Sequence, residues 1–106
     1  NGNVINDGSI PNLPKDACVE IPVFADKDGI HKTIVGELPA HLAILVSTTA
    51  QIENLVVCAA MTKSREDVYH AVMMDPLCSA VCSLQEIRDM CDLIFEKNTD
   101  YLGDYK

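Results

Sequence analysis

Cys78 and Cys82 stand four residues apart, with His70 ahead of them and Cys91 behind. A four-residue step returns to the same face of a helix, so two thiolates with a third sulfur or an imidazole nearby are the raw material of a tetrahedral zinc site. Structural zinc sites more often leave two residues between paired cysteines, and small cysteines at helical spacing are ordinary core residues. The spacing therefore favours the core, and no metal ligand is assigned. His31 falls in a strand pattern, His41 in the first turn of a helix and His70 on a second helix. None is set by the sequence against a serine or cysteine as a nucleophile and its base must be. Among sixteen acidic residues no two single themselves out as the carboxylate pair of glycoside or peptide hydrolysis. Asp26-Lys27-Asp28-Gly29 begins like a calcium loop but lacks the Glu that closes one, which leaves turn chemistry. The five glycines, at 2, 8, 29, 36 and 103, never fall at the spacing of a phosphate-cradling loop. No residue is assigned a catalytic, cofactor-binding or metal role.

These residues must be carried by few elements, because 106 residues suffice for one core and one domain, 1–106. Eight Lys and Arg against sixteen Asp and Glu give a net charge of −8, shared evenly by the two halves. With neither a basic face nor an acidic tail, nucleic acid and anionic membrane are excluded as partners. No uninterrupted apolar run approaches the length of a membrane span, so a soluble chain is expected. No basic segment followed by an apolar one marks a leader, and the start at Asn1 without Met reads as a processed or artificial beginning. Five cysteines are an odd number, four of them in helical patterns, which points to a reducing cytoplasm instead of a disulfide framework.

The expected fold is α+β, an N-terminal β-hairpin packed with a long helix and two or three shorter helices. Residues 1–16 read as loop, with turns at Asn6-Asp7-Gly8 and at Pro11 and Pro14. Residues 17–35 read as the hairpin: one strand from Ala17 to Phe24 with Val19, Ile21 and Val23 on a face, a turn at Asp26–Gly29, and a second strand from Ile30 to Val35. Pro22 cannot donate to a ladder, so it marks an edge strand or a bulge. Residues 39–97 read as the helical layer. Apolar positions 42, 45, 46, 52, 55, 56, 59 and 60 predict one helix from Pro39 to Met61, roughly 34 Å long. Ser64 with Asp67 caps a second helix to Met74, Asp75-Pro76 starts a short third turn, and the Ser83/Glu86 capping box starts a last helix to Lys97. Tyr101, Leu102 and Tyr105 in the tail are expected to pack on the body or on a partner. So apolar a long helix beside so few strands implies bare apolar surface, and bare patches mean a partner.

One run, Ile10-Pro11-Asn12-Leu13-Pro14-Lys15-Asp16-Ala17-Cys18-Val19-Glu20-Ile21-Pro22, resembles the C-terminal segment of family 4 glycoside hydrolases. The likeness continues through Asp28-Gly29-Ile30, Val35 to Pro39, Leu42-Ala43, Val68 to Pro76, Ala80-Val81 and Ser83 to Ile87, in order along nearly the whole chain. The Lys15-Asp16-Ala17-Cys18-Val19-Glu20 wording is most similar to the branch acting on non-phosphorylated α-glycosides: α-galactosidases, α-glucosidases and α-galacturonidases. The resemblance implies the C-terminal domain of a lactate dehydrogenase-like glycosidase. It also implies that NAD oxidises the sugar at C3, that a divalent metal such as manganese polarises the new carbonyl, and that loss of the C2 proton drives out the glycosidic oxygen. The family's NAD loop, metal ligands and base lie upstream of this segment and match no position here. Asp75-Pro76-Leu77-Cys78 and Val46-Ser47-Thr48 depart from the family's Asp-Pro-His-Thr and Asn-Arg-Thr-like wording, which bears on substrate class. The expected partners are a missing N-terminal NAD-binding half, a further copy in a homo-oligomer and an α-glycoside. The part alone is expected to be inactive, contributing to the cleft wall and subunit contacts. Within it Asn6 and Asn12, in an Asn- and Gly-rich loop able to set amides against hydroxyls, are the candidate substrate-binding residues, weighed against plain turn formation. The alternative is a free-standing, non-enzymatic module dimerising through its long helix.

Overall fold

The computed structural model describes residues 1–106, which divide into two compact units, Asn1–Gln51 and Ile52–Lys106. In the first, strand β1 (Gly2–Ile5) pairs antiparallel with β2 (Cys18–Ile21), Val4 opposite Val19. A second antiparallel pair joins β3 (Val23–Asp26) to β4 (Gly29–Lys32), Phe24 opposite His31. There are thus two small hairpins where the sequence predicts one. Residues 1–16 are not all loop, because Gly2–Ile5 becomes a strand on β2. The strand expected from Ala17 to Phe24 is cut at Pro22, which has no N–H to give: Ile21 closes one ladder and Val23 opens the next. The Pro22 carbonyl instead accepts from the Thr33 hydroxyl at 2.7 Å and the Thr33 amide at 3.3 Å.

The expected turn at residues 26–29 is present. The Asp28 amide donates to Asp26 Oδ1 at 2.8 Å, and Gly29 takes φ +125, a backbone open to glycine.

Helix α1 (Ala40–Thr62) runs unbroken through Ser47-Thr48-Thr49, where the Thr48 hydroxyl donates to the Ile44 carbonyl. Its Ala43 and Ala50, seven residues apart, are buried with Ile10, Leu13, Ala17, Val19 and Ile21 in the core of the first unit. The small alanines let loop and strand approach the helix closely. Burial on this helix is sparse, and Leu42, Ile44, Leu45, Val46, Val56, Val57 and Met61 are exposed. Although Ser47 to Thr49 and Gln51 interrupt its apolar run, α1 as a whole is long and apolar enough to cross a membrane by length and composition.

The second unit holds α2 (Arg65–Met74), α3 (Pro76–Val81), α4 (Leu84–Lys97) and α5 (Thr99–Leu102). Each of the first three starts on the predicted cap. Ser64 accepts from the Asp67 amide, and Asp75 from the Leu77 and Cys78 amides ahead of Pro76. Ser83 and Glu86 exchange both bonds of a capping box. Ile87, Cys91 and Phe95, at four-residue steps on α4, bury against Tyr69 of α2. Leu102 and Tyr105 pack on this core as expected of the tail, whereas Tyr101 is 81% exposed.

Candidate functional site

The loop between β1 and β2 is the most highly organised polar feature of the first unit. Asp7 at φ +46 and Gly8 at φ +90 form its turn, closed by the Ser9 amide donating to the Asn6 carbonyl at 2.8 Å. Two successive residues at positive φ are what a type I′ turn requires, and Asp-Gly is its preferred pair. The Asn6 side chain is wholly buried. Its Nδ2 donates to the carbonyls of Ile10 at 3.0 Å, Pro14 at 3.0 Å and Leu13 at 3.3 Å, and its Oδ1 accepts from the Ile10 amide at 2.7 Å. Both amide protons and the carbonyl are thus spent inside the loop. Asn12 is spent similarly: Nδ2 donates to the Leu38 carbonyl at 2.7 Å, and Oδ1 accepts from the Leu38 amide at 3.0 Å. Both amides are engaged by the chain's own backbone, half-buried Asn12 with one of its two amide protons. They hold the loop in shape, Asn6 by itself and Asn12 by tying it to the segment that leads into α1.

Lys32 reaches the loop's rim, donating to the Ile5 carbonyl at 3.1 Å and to Asp7 at 3.3 Å. On the outer hairpin His31 Nε2 lies 3.0 Å from Asp26 Oδ1, both about half exposed. The His31 hydrogen bond, helped by the Asp28 amide, holds the Asp26 carboxyl below its ordinary value.

The second unit carries a denser set of charges that sequence reasoning missed. Tyr69 donates to Asp92 at 2.5 Å, and that bond, with burial, raises the phenol's pKa. Arg88 lies over the Tyr69 ring, 4.6 Å from its centre, and donates to Glu66 at 3.2 Å. Arg65 stacks on Phe95 at 4.3 Å and lies 3.5 Å from Asp92. The i, i+4 placing of Arg65 and Tyr69 was the available signal, but their partners on α4 lie more than twenty residues on. A polar hollow of about 290 Å³ opens beside Arg65, Asp92, Glu96 and Thr99. A second hollow of about 150 Å³ is walled by apolar side chains, among them Val68, Val72, Met90, Ile94 and Phe95, a poor lining for hydroxyls.

Cys78, Cys82 and Cys91 all border the same core, as the core reading expects. Burial pushes the Cys78 and Cys91 thiols above their ordinary value, against the thiolate a metal needs. No three His, Cys, Asp or Glu side chains are grouped to hold a metal ion. Gly8 and Gly29 take positive φ in turns and Gly36 takes it in the segment after β4, so no two of these glycines come together as a phosphate cradle requires. The residues present therefore do not fit manganese or a dinucleotide. Nor is a nucleophile paired with a base. The arrangement can position and pack.

The family model described as "Family 4 glycosyl hydrolase C-terminal domain" matches residues 1–78, from β1 into α3. The chain is 43% identical to an alpha-galactosidase of Bacillus subtilis (strain 168) over 99% of its own length and 24% of that protein's. It is 34% identical to an alpha-galactosidase of Rhizobium meliloti (strain 1021), over 97% of this chain and 21% of the relative. Among solved structures, a 6-phospho-alpha-glucosidase from gut microorganisms, in complex with NAD and glucose-6-phosphate, superposes with a TM-score of 0.83. Identity to it is 31%, covering 93% of this chain and 22% of that one. The 6-phospho-beta glucosidase of Thermotoga maritima, with manganese, NAD+ and glucose-6-phosphate, gives 0.80 at 26% identity over 93% and 25%. The chain thus spans about a quarter of the length of the proteins it matches.

Proposed function

The chain belongs to the family 4 glycosyl hydrolase C-terminal domains, and on that premise we propose that it is the C-terminal part of an α-glycosidase acting on non-phosphorylated sugars by NAD- and manganese-dependent oxidation and elimination. The 43% identity to an alpha-galactosidase along virtually the whole chain carries this reading. It favours α-galactosides over the phosphorylated sugars named for relatives near 30% identity. NAD and the metal belong to the preceding half, since nothing in this chain fits either, and no chemical step is assigned to its residues.

The part this chain plays is mechanical. The loop from Asn6 to Ala17 forms an edge of the cleft wall, its shape held by Asn6 and Asn12 as positioning residues. The apolar surface of α1 is covered by other protein, including a further copy in a homo-oligomer. The five free cysteines suit a reducing cytoplasm. The second reading, a non-enzymatic module working through α1, draws on the same exposed apolar residues.

The experiment that separates them is a chimera in which this chain replaces the matching quarter of the Bacillus subtilis alpha-galactosidase. The glycosidase reading expects cleavage of a chromogenic α-galactoside that requires NAD and Mn²⁺. A chimera that folds and binds NAD but cleaves nothing would leave only the second reading.

A further inference from the structure

Within the unit Ile52–Lys106, α1 ends through Lys63 at φ +57, a left-handed position that favours glycine or asparagine. The Ser64 amide donates back to the Ala59 carbonyl at 3.2 Å, the outer bond of a Schellman turn, and Ser64 then caps α2. A segment far along the chain holds the lysine there. The Lys106 amide donates to the Lys63 carbonyl at 2.9 Å, and the Arg65 amide donates to the Lys106 carbonyl at 2.8 Å. Arg65 is the first residue of α2, so its amide has no partner inside that helix, and Lys106 supplies one. Tyr105 packs on Phe95, ring centres 5.7 Å apart, while Lys63 Nζ lies 4.8 Å over the Tyr105 ring and 3.6 Å from Asp104.

Little else fastens this segment to its unit. Of residues 98–106 only Leu102 and Tyr105 are even half-buried. The Lys63 to Asp104 pair is exposed on both sides and contributes little. Helices α2 and α4, by contrast, share the buried Tyr69, Ile87, Cys91 and Phe95. A piece with few buried apolar groups opens at a lower free energy than a core of that kind. Gly103 fixes where the segment turns back, since a Cβ there would stand 2.6 Å from the Thr99 carbonyl.

We propose that residues 98–106 are a strap that opens and closes as one piece over the α2 and α4 core, and that its closing locks the turn from α1 into α2. Closed, Tyr105 sits on Phe95 and Lys106 ties Lys63 to Arg65. Open, the Lys63 carbonyl and the Arg65 amide turn to water together, and Lys63 loses what keeps it left-handed. The apolar hollow beside Phe95 loses the walls given by Leu102 and Tyr105 in the same event. Strap and turn, distant in sequence, are thus one two-state element. The proposal stands apart from the glycosidase reading, because both states and their readout lie inside this unit.

The test is native-state hydrogen exchange of the 106-residue chain, read at single amides. Arg65 and Lys106 are expected to share one protection factor to within about threefold, about tenfold or more below those of Cys91 and Phe95. Y105A loosens the strap and is expected to raise exchange at Arg65, whose amide is bonded to Lys106, about tenfold or more. Y105F keeps the ring on Phe95 and is expected to leave Arg65 within about twofold of the parent. G103A displaces the turn with the side chains of the strap all still present, and is expected to raise Arg65 exchange about tenfold as well. Circular dichroism checks that the helices persist in each variant. Arg65 as protected as Cys91, Arg65 and Lys106 exchanging at unrelated rates, or Arg65 left within twofold by Y105A or by G103A would each overturn the proposal.

Discussion

Removing the Asn6 amide should unlock the loop that joins β1 to β2, and the size of the effect follows from its four hydrogen bonds. In Asn6→Ala the Ile10 amide loses the Oδ1 that it meets at 2.7 Å, and the Leu13 carbonyl loses Nδ2. The Ile10 and Pro14 carbonyls keep other donors, the amides of Leu13 and Ala17. Two buried polar groups are therefore left without a partner, at about 1–3 kcal/mol each, so the loop should lose about 2–6 kcal/mol. Measured as hydrogen exchange of the amides from Ser9 to Leu13, that is a rise between about thirtyfold and about twenty-thousandfold. Asn6→Asp sharpens the test, because it keeps the acceptor for Ile10 but turns an oxygen towards three carbonyls. Burial and those carbonyls raise the new carboxyl's folded pKa above its unfolded value. Its penalty is therefore absent below the unfolded value, about 3.9, and grows as pH rises above it. The Asp variant should exchange faster than the Ala variant at pH 7 and recover towards pH 4. Exchange in Asn6→Ala within twofold of the parent, or an Asp variant as protected as the parent at pH 7, would refute the claim that this side chain is spent on the loop.

Two further outcomes concern the helical unit. Backbone amides hold the Asp75 and Glu86 carboxyls below their ordinary values, so their capping contribution is present above the unfolded carboxylate range and is lost as pH falls through the lower folded values. Helicity of this unit should fall on acidification below about pH 4, and Glu86→Gln should flatten that loss, checked by circular dichroism against pH. Ile87 has no exposed surface at the centre of the Tyr69, Cys91 and Phe95 cluster, so Ile87→Ala should cost about 2–5 kcal/mol in a urea melt.

The helices were readable because their signals are local. Ser64, the Asp75-Pro76 pair and the Ser83/Glu86 box each sit within three residues of the amides they satisfy, and the stripe from Ile87 to Phe95 declares its own buried face. Strand β1 was not readable, since Gly2 and Asn3 favour turns and only pairing with Cys18–Ile21 makes four residues extended. Pro22 announced a break, but whether it made a bulge or a second hairpin depended on where Thr33 returned. Asn6 and Asn12 stood out as amides in a loop, which is all their residue type can say. Their partners, backbone groups 4–8 and 26 residues away, exist only once the chain has folded. The charges around Tyr69 were hidden for the same reason, spread over two helices. The resemblance in wording, by contrast, needed no structure, because Ile10 to Pro22 combines loop and strand residues in an order that composition alone would not produce.

The central claim is that this chain supports a glycosidase while holding none of its chemistry. The most direct measurement is release of the chromophore from an aryl α-galactoside by the isolated chain, supplied with NAD and Mn²⁺ over a range of protein concentrations. The account predicts no release above the blank at any concentration; release rising in proportion to the chain would contradict it.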